Sequence, residues 1–364
     1  MPTEDNKVVV PNMGAIPSIP DYRDGVAASA VYKELAAQIE AGDLPDSFKT
    51  DLSKLGEVLD QNKVPACVSH AWVIVMKYWW WKKTGELVDF SPRFLDIMSN
   101  QPWLGPEDGR YPRDVCRVSA KLGCATTAIL PNDTEGLTIA QYRDKSVITD
   151  AVLADAAKYK IPGYIRIPDN SISDFRRAIK QLGLVSGLFA ISDAFWKPTW
   201  QTKDIDPLQA RTPSSNHQMV VYGWEGSLNW LRNSWSKLWN RAGDGTFKAS
   251  TWLDYIIEGW AIAEVPADLP GFMSKLPAPP DFHYQWNKDL NIGEFSDDIK
   301  MAQIALMILG LMQPVPPDQL GYFGAKTSKA VYAYQTLKKI PITDRNANRI
   351  GPKTRSFLNA EFTV

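Results

Sequence analysis

The apolar positions of this chain change their period along its length, and the changes divide it. Residues 1–20 carry Val8-Val9-Val10 followed by Pro11, Pro17 and Pro20, the pattern of an extended arm. Asp21-Tyr22-Arg23-Asp24-Gly25 reads as a turn. Residues 27–59 follow a helical pattern with a break at Gly42-Asp43-Leu44-Pro45. From Cys67 onward Ala71, Trp72, Val75, Met76 and Trp79 recur at three- and four-residue spacing. That spacing predicts a buried helix starting near Cys67 and ending at Lys83-Thr84-Gly85. Ser91-Pro92-Arg93 opens a short helix through Met98, and Pro112 opens another that reaches Leu122 and is stopped by Gly123. Residues 102–109 read as loop, and residues 132–158 as polar and partly helical.

Beyond Gly163 the period shortens. Tyr164-Ile165-Arg166-Ile167 alternates as a strand. An amphipathic helix follows up to Gly183, with Ser171 and Ser173 as cap candidates and Phe175, Ala178, Ile179 and Leu182 on one face. Residues 184–191 form a second strand. After a long polar loop come short strand-like pieces at 217–224, 229–233 and 245–249. A helical half followed by a β-rich half is an α+β arrangement. Pro266, Pro270, Pro277, Pro279 and Pro280 then make a stiff linker over residues 266–288. Residues 289–364 read as a separate small helical unit, with apolar spacing at 299–311, a second helix over 327–337 and a third from Thr354. Gly324-Ala325-Lys326-Thr327 and Gly351-Pro352-Lys353-Thr354 are near-copies, each a Gly before a helix whose cap is Thr or its neighbour.

Composition narrows the chemistry. A chain of 364 residues fits two or three domains, and 45% apolar with 22% charged residues is ordinary for a globular protein. The formal net charge of -1 gives no steering toward nucleic acid or an anionic membrane, so neither is expected as a partner. Fourteen Trp predict a large aromatic core or a surface that faces carbohydrate or peptide. Three cysteines argue against a disulfide framework, with Cys116 and Cys124 the one pair open. With no CxxC and only His70, His217 and His283, neither a metal site nor a cofactor is expected. The first seven residues are polar and lack the apolar run of a secretory signal, so synthesis in a cytoplasm is expected. No stretch reaches ~18 uninterrupted apolar residues, the length a membrane span needs.

A polar turn, Asp60-Gln61-Asn62-Lys63-Val64-Pro65-Ala66, runs straight into the helix that begins at Cys67. A thiol there meets the positive end of the helix dipole and N–H groups without helical partners, both of which favour the nucleophilic thiolate. Gln61 lies on the approach loop, where its amide is able to donate to an oxyanion beside the sulfur. The alternative is a small buried cysteine with no chemistry. A nucleophile needs a base, and the base an orienting group. His283 sits in the linker. His70 shares the helix of Cys67, a rigid arrangement that rarely aims both groups at one atom. His217 heads an alternating strand after the polar Ser214-Ser215-Asn216, and Leu231-Arg232-Asn233-Ser234-Trp235 offers an Asn carbonyl to its ring and a Trp to cover that bond.

Together, Asp60-Gln61 with Cys67, Asn216-His217, and Asn233-Ser234-Trp235 followed by Trp239 and Gly243-Asp244-Gly245 resemble the papain-like cysteine peptidases, whose order of Cys, His and Asn they share. The resemblance covers roughly residues 20–265 of the 1–265 segment. It also takes in Tyr22-Arg23, similar to that family's N-terminal segment, and Gly109-Arg110-Tyr111-Pro112, similar to its substrate-pairing rim. It implies two lobes, helical and β-barrel-like, with the cleft between them. It further implies that Cys67 attacks a peptide carbonyl, that His217 is its proton partner and that Asn233 orients His217. Gln61 and the Cys67 N–H would form the oxyanion hole, and Gly109, Arg110, Asn216 and Trp235 would face substrate. The sequence departs from the family at Val64, Pro65-Ala66, Val68 and Arg110, and the disulfide that braces the nucleophile loop is absent. It shows no recognisable inhibitory propeptide; residues 27–59 look like an insertion, part of the cleft or a lid.

The C-terminal unit resembles the small three-helix peptidoglycan-binding-like module, through Ile299, Gln303, Leu306 and Leu309-Gly310, through Gly324, Thr327, Ala330 and Tyr334-Gln335, and through Gly351 and Thr354. That resemblance implies targeting to a cell-wall glycan, against the alternative of a docking domain without glycan affinity. The expected function is a cysteine endopeptidase acting on protein or peptide and held at a wall-like polymer. Its alternatives are a lytic enzyme that cuts wall peptides and a catalytically inactive binding protein. Lysis, a phage origin or a nonclassical export route would each bring such a protein to the wall.

Overall fold

The computed structural model describes residues 14–18, 44–101, 104–105, 107–167, 172–191, 215–251, 256–264, 284–309, 311–312, 321–341 and 349–362. The described residues belong to two compact units, one holding those up to 264 and the other those from 284. Most of the arm, most of the linker and His283 lie outside the described residues.

In the first unit the helix α1 spans Cys67–Thr84 and closes on Gly85, which is left-handed and donates to Trp81 O. Its first ten residues, Cys67 to Met76, are all buried, as expected of a helix apolar on every side. The helix α2 (Pro92–Met98) starts on Ser91, whose side chain accepts from Phe94 N–H, with Pro92 at the first position. Helix α3 (Pro112–Lys121) packs beside them, and Trp72 Nε1 donates to Ser119 Oγ at 2.9 Å, tying α1 to α3. The polar stretch beyond holds two short helices, α4 (Ile139–Tyr142) and α5 (Asp150–Ala156), each capped by a threonine.

The β-rich half is one antiparallel sheet. Its strands are β1 (Ser47–Lys49), β2 (Tyr164–Ile167), β3 (Val185–Ile191), β4 (Ser215–Glu225), β5 (Leu228–Arg232), β6 (Asp244–Lys248) and β7 (Ile256–Ile262). They lie in the order β2-β7-β3-β4-β5-β6, with β1 on β4. Alternate residues of β4 serve two cores: Val220 and Tyr222 pack with α1, while Met219 and Val221 pack with Phe175, Ala178 and Ile179 of α6 (Ile172–Leu182).

Two elements differ from the expectation. Residues 47–49 form a strand inside the stretch read as helical; Pro45 ends any preceding helix, and Phe48 stacks on Trp224 across the pair β1–β4. Strand β7 has no period-two signal in the sequence, because Ile256-Ile257-Glu258-Gly259-Trp260-Ala261-Ile262 is covered on both faces and shows no alternation. Cys116 and Cys124 do not pair; Cys67, Cys116 and Cys124 are all buried and none forms a disulfide.

Among the described residues the second unit has a two-stranded ladder, β8 (Leu290–Asn291) with β9 (Arg349–Ile350), and three helices, α7 (Asp297–Ile308), α8 (Ala325–Leu337) and α9 (Pro352–Phe362). The repeated threonines are not caps. Gly324 holds the cap position of α8, and Thr327 and Thr354 instead accept from buried glutamines of the preceding helix, Gln303 at 2.9 Å and Gln335 at 3.0 Å. Among the described residues no helix is long and apolar enough to cross a membrane.

Removing the side chain that joins α1 to α3 tests this packing. Trp72→Ala is expected to destabilise the first unit by about 3–5 kcal/mol, read from urea unfolding followed by far-UV circular dichroism; a loss below about 1 kcal/mol would contradict a fully packed Trp72.

Candidate active site

The loop that leads into α1 is tightly turned. Val64 N–H donates to Gln61 O at 3.0 Å and Ala66 N–H to Val64 O at 2.8 Å. Ala66 caps α1 without a side-chain bond, so the helix presents its free N–H groups beside Cys67. The sulfur lies against β4: the N–H groups of Gln218, Gly14 and Val68 all donate toward it. Those bonds do not set its ionisation. Burial pushes the Cys67 thiol up to about 11, the bonds offset this in part, and the Asp96 charge adds to the rise. The helix start therefore does not yield a thiolate in this state, because complete burial outweighs the dipole.

Residue 217 precedes Gln218 on β4. His217 Nε2–H donates to Asn233 Oδ1 at 2.7 Å, and Ser234 N–H donates to the same atom at 2.8 Å. A backbone N–H only donates, so that atom is the amide oxygen and the imidazole tautomer is fixed. Nδ1 is then the ring's acceptor. Burial pulls the imidazole down to about 4, partly offset by the Asn233 bond. Trp235 is buried and lies over the ring, with centroids 4.7 Å apart, and Trp239 meets Trp235 edge-on. Gln61 is locked at both ends: its Oε1 accepts from Ser234 Oγ at 2.7 Å and its Nε2 donates to Val64 O at 3.1 Å. The bond from Gln61 N–H to Ser234 O ties the approach loop to the Asn233 loop directly.

Residues 14–18 run along the rim at Gly109 and Arg110. Ala15 pairs with Arg110 in parallel; Arg110 N–H donates to Gly14 O at 2.8 Å and Ile16 N–H to Arg110 O at 3.0 Å. The fit tolerates no side chain on either glycine. A Cβ on Gly14 would stand 1.9 Å from Pro65 O, and one on Gly109 would stand 2.4 Å from the Gly14 carbonyl carbon. Farther along, Ser18 N–H donates to Glu258 Oε1 at 2.8 Å and its Oγ accepts from Arg113 N–H at 3.1 Å.

Cys67, Gln61, Asn233 and Trp235 thus gather around β4 at residues 217–218. Gly109 and Arg110 meet an extended chain through their backbone, but the Arg110 side chain turns inward to Asp96 and does not face a cleft. Asn216 is half-buried on β4 opposite Ala190. Trp235 faces His217 and is covered. His70 is not a base: Nδ1 donates to Ala66 O at 2.8 Å, Nε2 accepts from Asn132 Nδ2 at 3.1 Å, and burial holds it near 4. The arm's seat on the rim and the Asp96–Arg143 ion pair were not read from the sequence. Only Val8-Val9-Val10 with Pro11, Pro17 and Pro20 hinted at an extended course for residues 1–20.

The first unit has a papain-like fold. Xylellain, a cysteine protease from Xylella fastidiosa, matches with a TM-score of 0.58 at 18% identity, over 71% of this chain and 98% of that one. Digestive procathepsin L 3 of Tenebrio molitor larval midgut matches with a TM-score of 0.51 at 14% identity, over 68% of this chain and 94% of that one. In the second unit, residues 295–355 match the family model described as a putative peptidoglycan binding domain. No curated protein matches the chain.

Stability should follow the buried neutral groups. His70 and His217 titrate near 4 when folded, against about 6.5 for a free imidazole, so the unfolded chain binds more protons between those values. Stability therefore falls as pH drops through that window. Cys67 adds a loss as pH rises from its ordinary 9.0 toward about 11, where only the unfolded thiol ionises. Urea midpoints are expected to peak near neutral pH and decline on both sides. A midpoint independent of pH between roughly 4.5 and 6.5 would show the imidazoles to be exposed or already charged.

Proposed function

We propose that the first unit is a cysteine peptidase domain. One observation carries this reading: an imidazole bonded to Asn233 stands on β4 next to the residue whose N–H reaches the Cys67 sulfur. In the proposed cycle the Cys67 proton passes to His217 Nδ1 and the sulfur attacks a peptide carbonyl carbon. The oxyanion accepts from the Cys67 N–H and the Gln61 side-chain amide. His217 returns its proton to the leaving amine, and water hydrolyses the thioester. Asn233 keeps the imidazole in the required tautomer, and Trp235 keeps water from that bond. Residues 1–265 make up the catalytic segment, 266–288 the linker and 289–364 the targeting module. The match at residues 295–355 favours a substrate at a wall polymer, where a binding module raises local enzyme concentration. Wall peptides are therefore the second candidate substrate beside ordinary proteins.

In the described form residues 14–18 already hold the backbone groups of Arg110, so a peptide gains the rim only by displacing them. A side chain at Gly14 should expel the arm, since it has no room beside Pro65 O.

The test is covalent labelling of Cys67 by a peptidyl epoxide at neutral pH, followed by intact-mass spectrometry. Gly14→Val is expected to label at least about tenfold faster than the unaltered chain, and Cys67→Ala not at all. If neither the unaltered chain nor Gly14→Val is modified while the denatured chain reacts with ordinary thiol reagents, the fold is a binding scaffold and the peptidase reading fails. Comparing release from purified wall sacculi with cleavage of an unfolded protein separates the two substrates.

A further inference from the structure

No disulfide joins the nucleophile loop to the rim. A buried guanidinium stands between them. Arg143 Nη2 donates to Pro65 O at 2.9 Å, and Arg143 Nη1 donates to Asp108 O at 2.7 Å. Pro65 is two residues before Cys67, and Asp108 is two residues before Arg110. The Asp96 carboxylate, fully buried on α2, fixes the same guanidinium through Nε at 2.7 Å and Nη2 at 3.1 Å. Arg110 completes the cluster from the rim side, donating to Asp96 O at 2.7 Å and to Asp108 O and Gly109 O, each at 3.1 Å. The segment that carries Arg143 is itself pinned, since Arg93 donates to Gln141 O and Tyr142 O.

We propose that Arg143 is a positioning residue whose guanidinium sets the distance between the nucleophile loop and the rim that pairs with substrate backbone. Pro65 O belongs to the peptide unit next to the one that supplies the Cys67 N–H. A shift of that carbonyl therefore moves the sulfur and the oxyanion donor together. On the opposite wall, Asp108 O governs where the Arg110 N–H and C=O stand. The arm shows what those groups do: they hydrogen-bond an extended chain. Only a planar fork with donors on several edges spans both carbonyls and the carboxylate at once. A lysine ammonium keeps the charge beside Asp96 but has a single nitrogen and reaches one wall at most.

The inference rests on the peptidase reading, and two measurements on the full chain keep them apart. The first is hydrogen–deuterium exchange. In Arg143→Lys, the segments 60–67 and 107–111 are expected to exchange faster while residues 70–80 of α1 keep their protection. Unchanged exchange at both segments overturns the clasp, and faster exchange throughout α1 overturns it as a general stability effect. The second is the ratio of two Cys67 modification rates, by a peptidyl epoxide that must lie on the rim and by iodoacetamide that need not. That ratio is expected to fall about tenfold or more in Arg143→Lys, because a misplacement of about 1 Å costs a rate of that order or greater. A ratio within threefold of the unaltered chain, or a parallel loss with both reagents, overturns the proposal. Arg143→Ala should show the larger effect, and if it does not fold the lysine variant decides. If no form is modified by either reagent, the peptidase reading fails, while exchange still decides whether Arg143 fixes the two loops.

Discussion

The register of β4 is the constraint on which the site depends. This strand pairs with β1, β3 and β5 and sets His217 opposite Phe189 and Gln218 opposite Leu188. A slip of one residue would exchange the two faces of the strand. It would carry Met219 and Val221 out of one core and Val220 and Tyr222 out of the other, and would turn His217 away from Asn233. The apolar alternation that fixes the register for packing therefore fixes the imidazole as well. The start of α1 is set by the same packing, because its first ten residues, Ser69 and His70 included, are all buried and leave no solvent-facing side.

Burial then decides the charge state. A helix start favours a thiolate by only about a kcal/mol at exposed positions, while full removal from water costs an isolated charge several times more. Both Cys67 and His217 are completely buried, and both move toward their neutral forms. The arm contributes to that burial, since Gly14 lies against the sulfur and against Pro65. Access of water to the Cys67 sulfur and the charge of that sulfur are thus coupled through one short extended segment.

How far the sequence reveals all this depends on the range of each contact. Helices α1, α2 and α3 were legible to within a residue or two, because Gly85, Ser91-Pro92, Pro112 and Gly123 mark their ends by local backbone chemistry. Gln61, Cys67, His217 and Asn233 were legible as candidates from helix-start chemistry and the choice among three histidines, and as one group through resemblance; no periodicity relates residues that far apart. Strand β7 and residues 47–49 were missed because their conformation is imposed by neighbouring strands. Arg143 was read as part of a polar stretch, since its partners lie 35 to 78 positions earlier in the chain. In the second unit the repeat was visible but its cause was not. Thr327 and Thr354 recur because each receives a buried glutamine of the preceding helix.

The loop before Cys67 also shows how a turn is held without a disulfide. Three successive carbonyls each accept from a buried side chain: Val64 from Gln61 at 3.1 Å, Pro65 from Arg143 at 2.9 Å and Ala66 from His70 at 2.8 Å. Buried polar groups are costly unless paired, so each donor is held there by the same burial that would penalise its loss. The His70 ring is held at its other nitrogen as well. Its Nε2 accepts from the Asn132 amide, whose oxygen is already taken by Tyr142 OH at 2.8 Å. Protonating the ring would set two donors face to face until the Asn132 amide turned, after which its oxygen would face the ring and its nitrogen would donate to the Tyr142 hydroxyl. Burial thus keeps His70 neutral, and its Nδ1–H bond to Ala66 O braces the turn before Cys67 in either charge state.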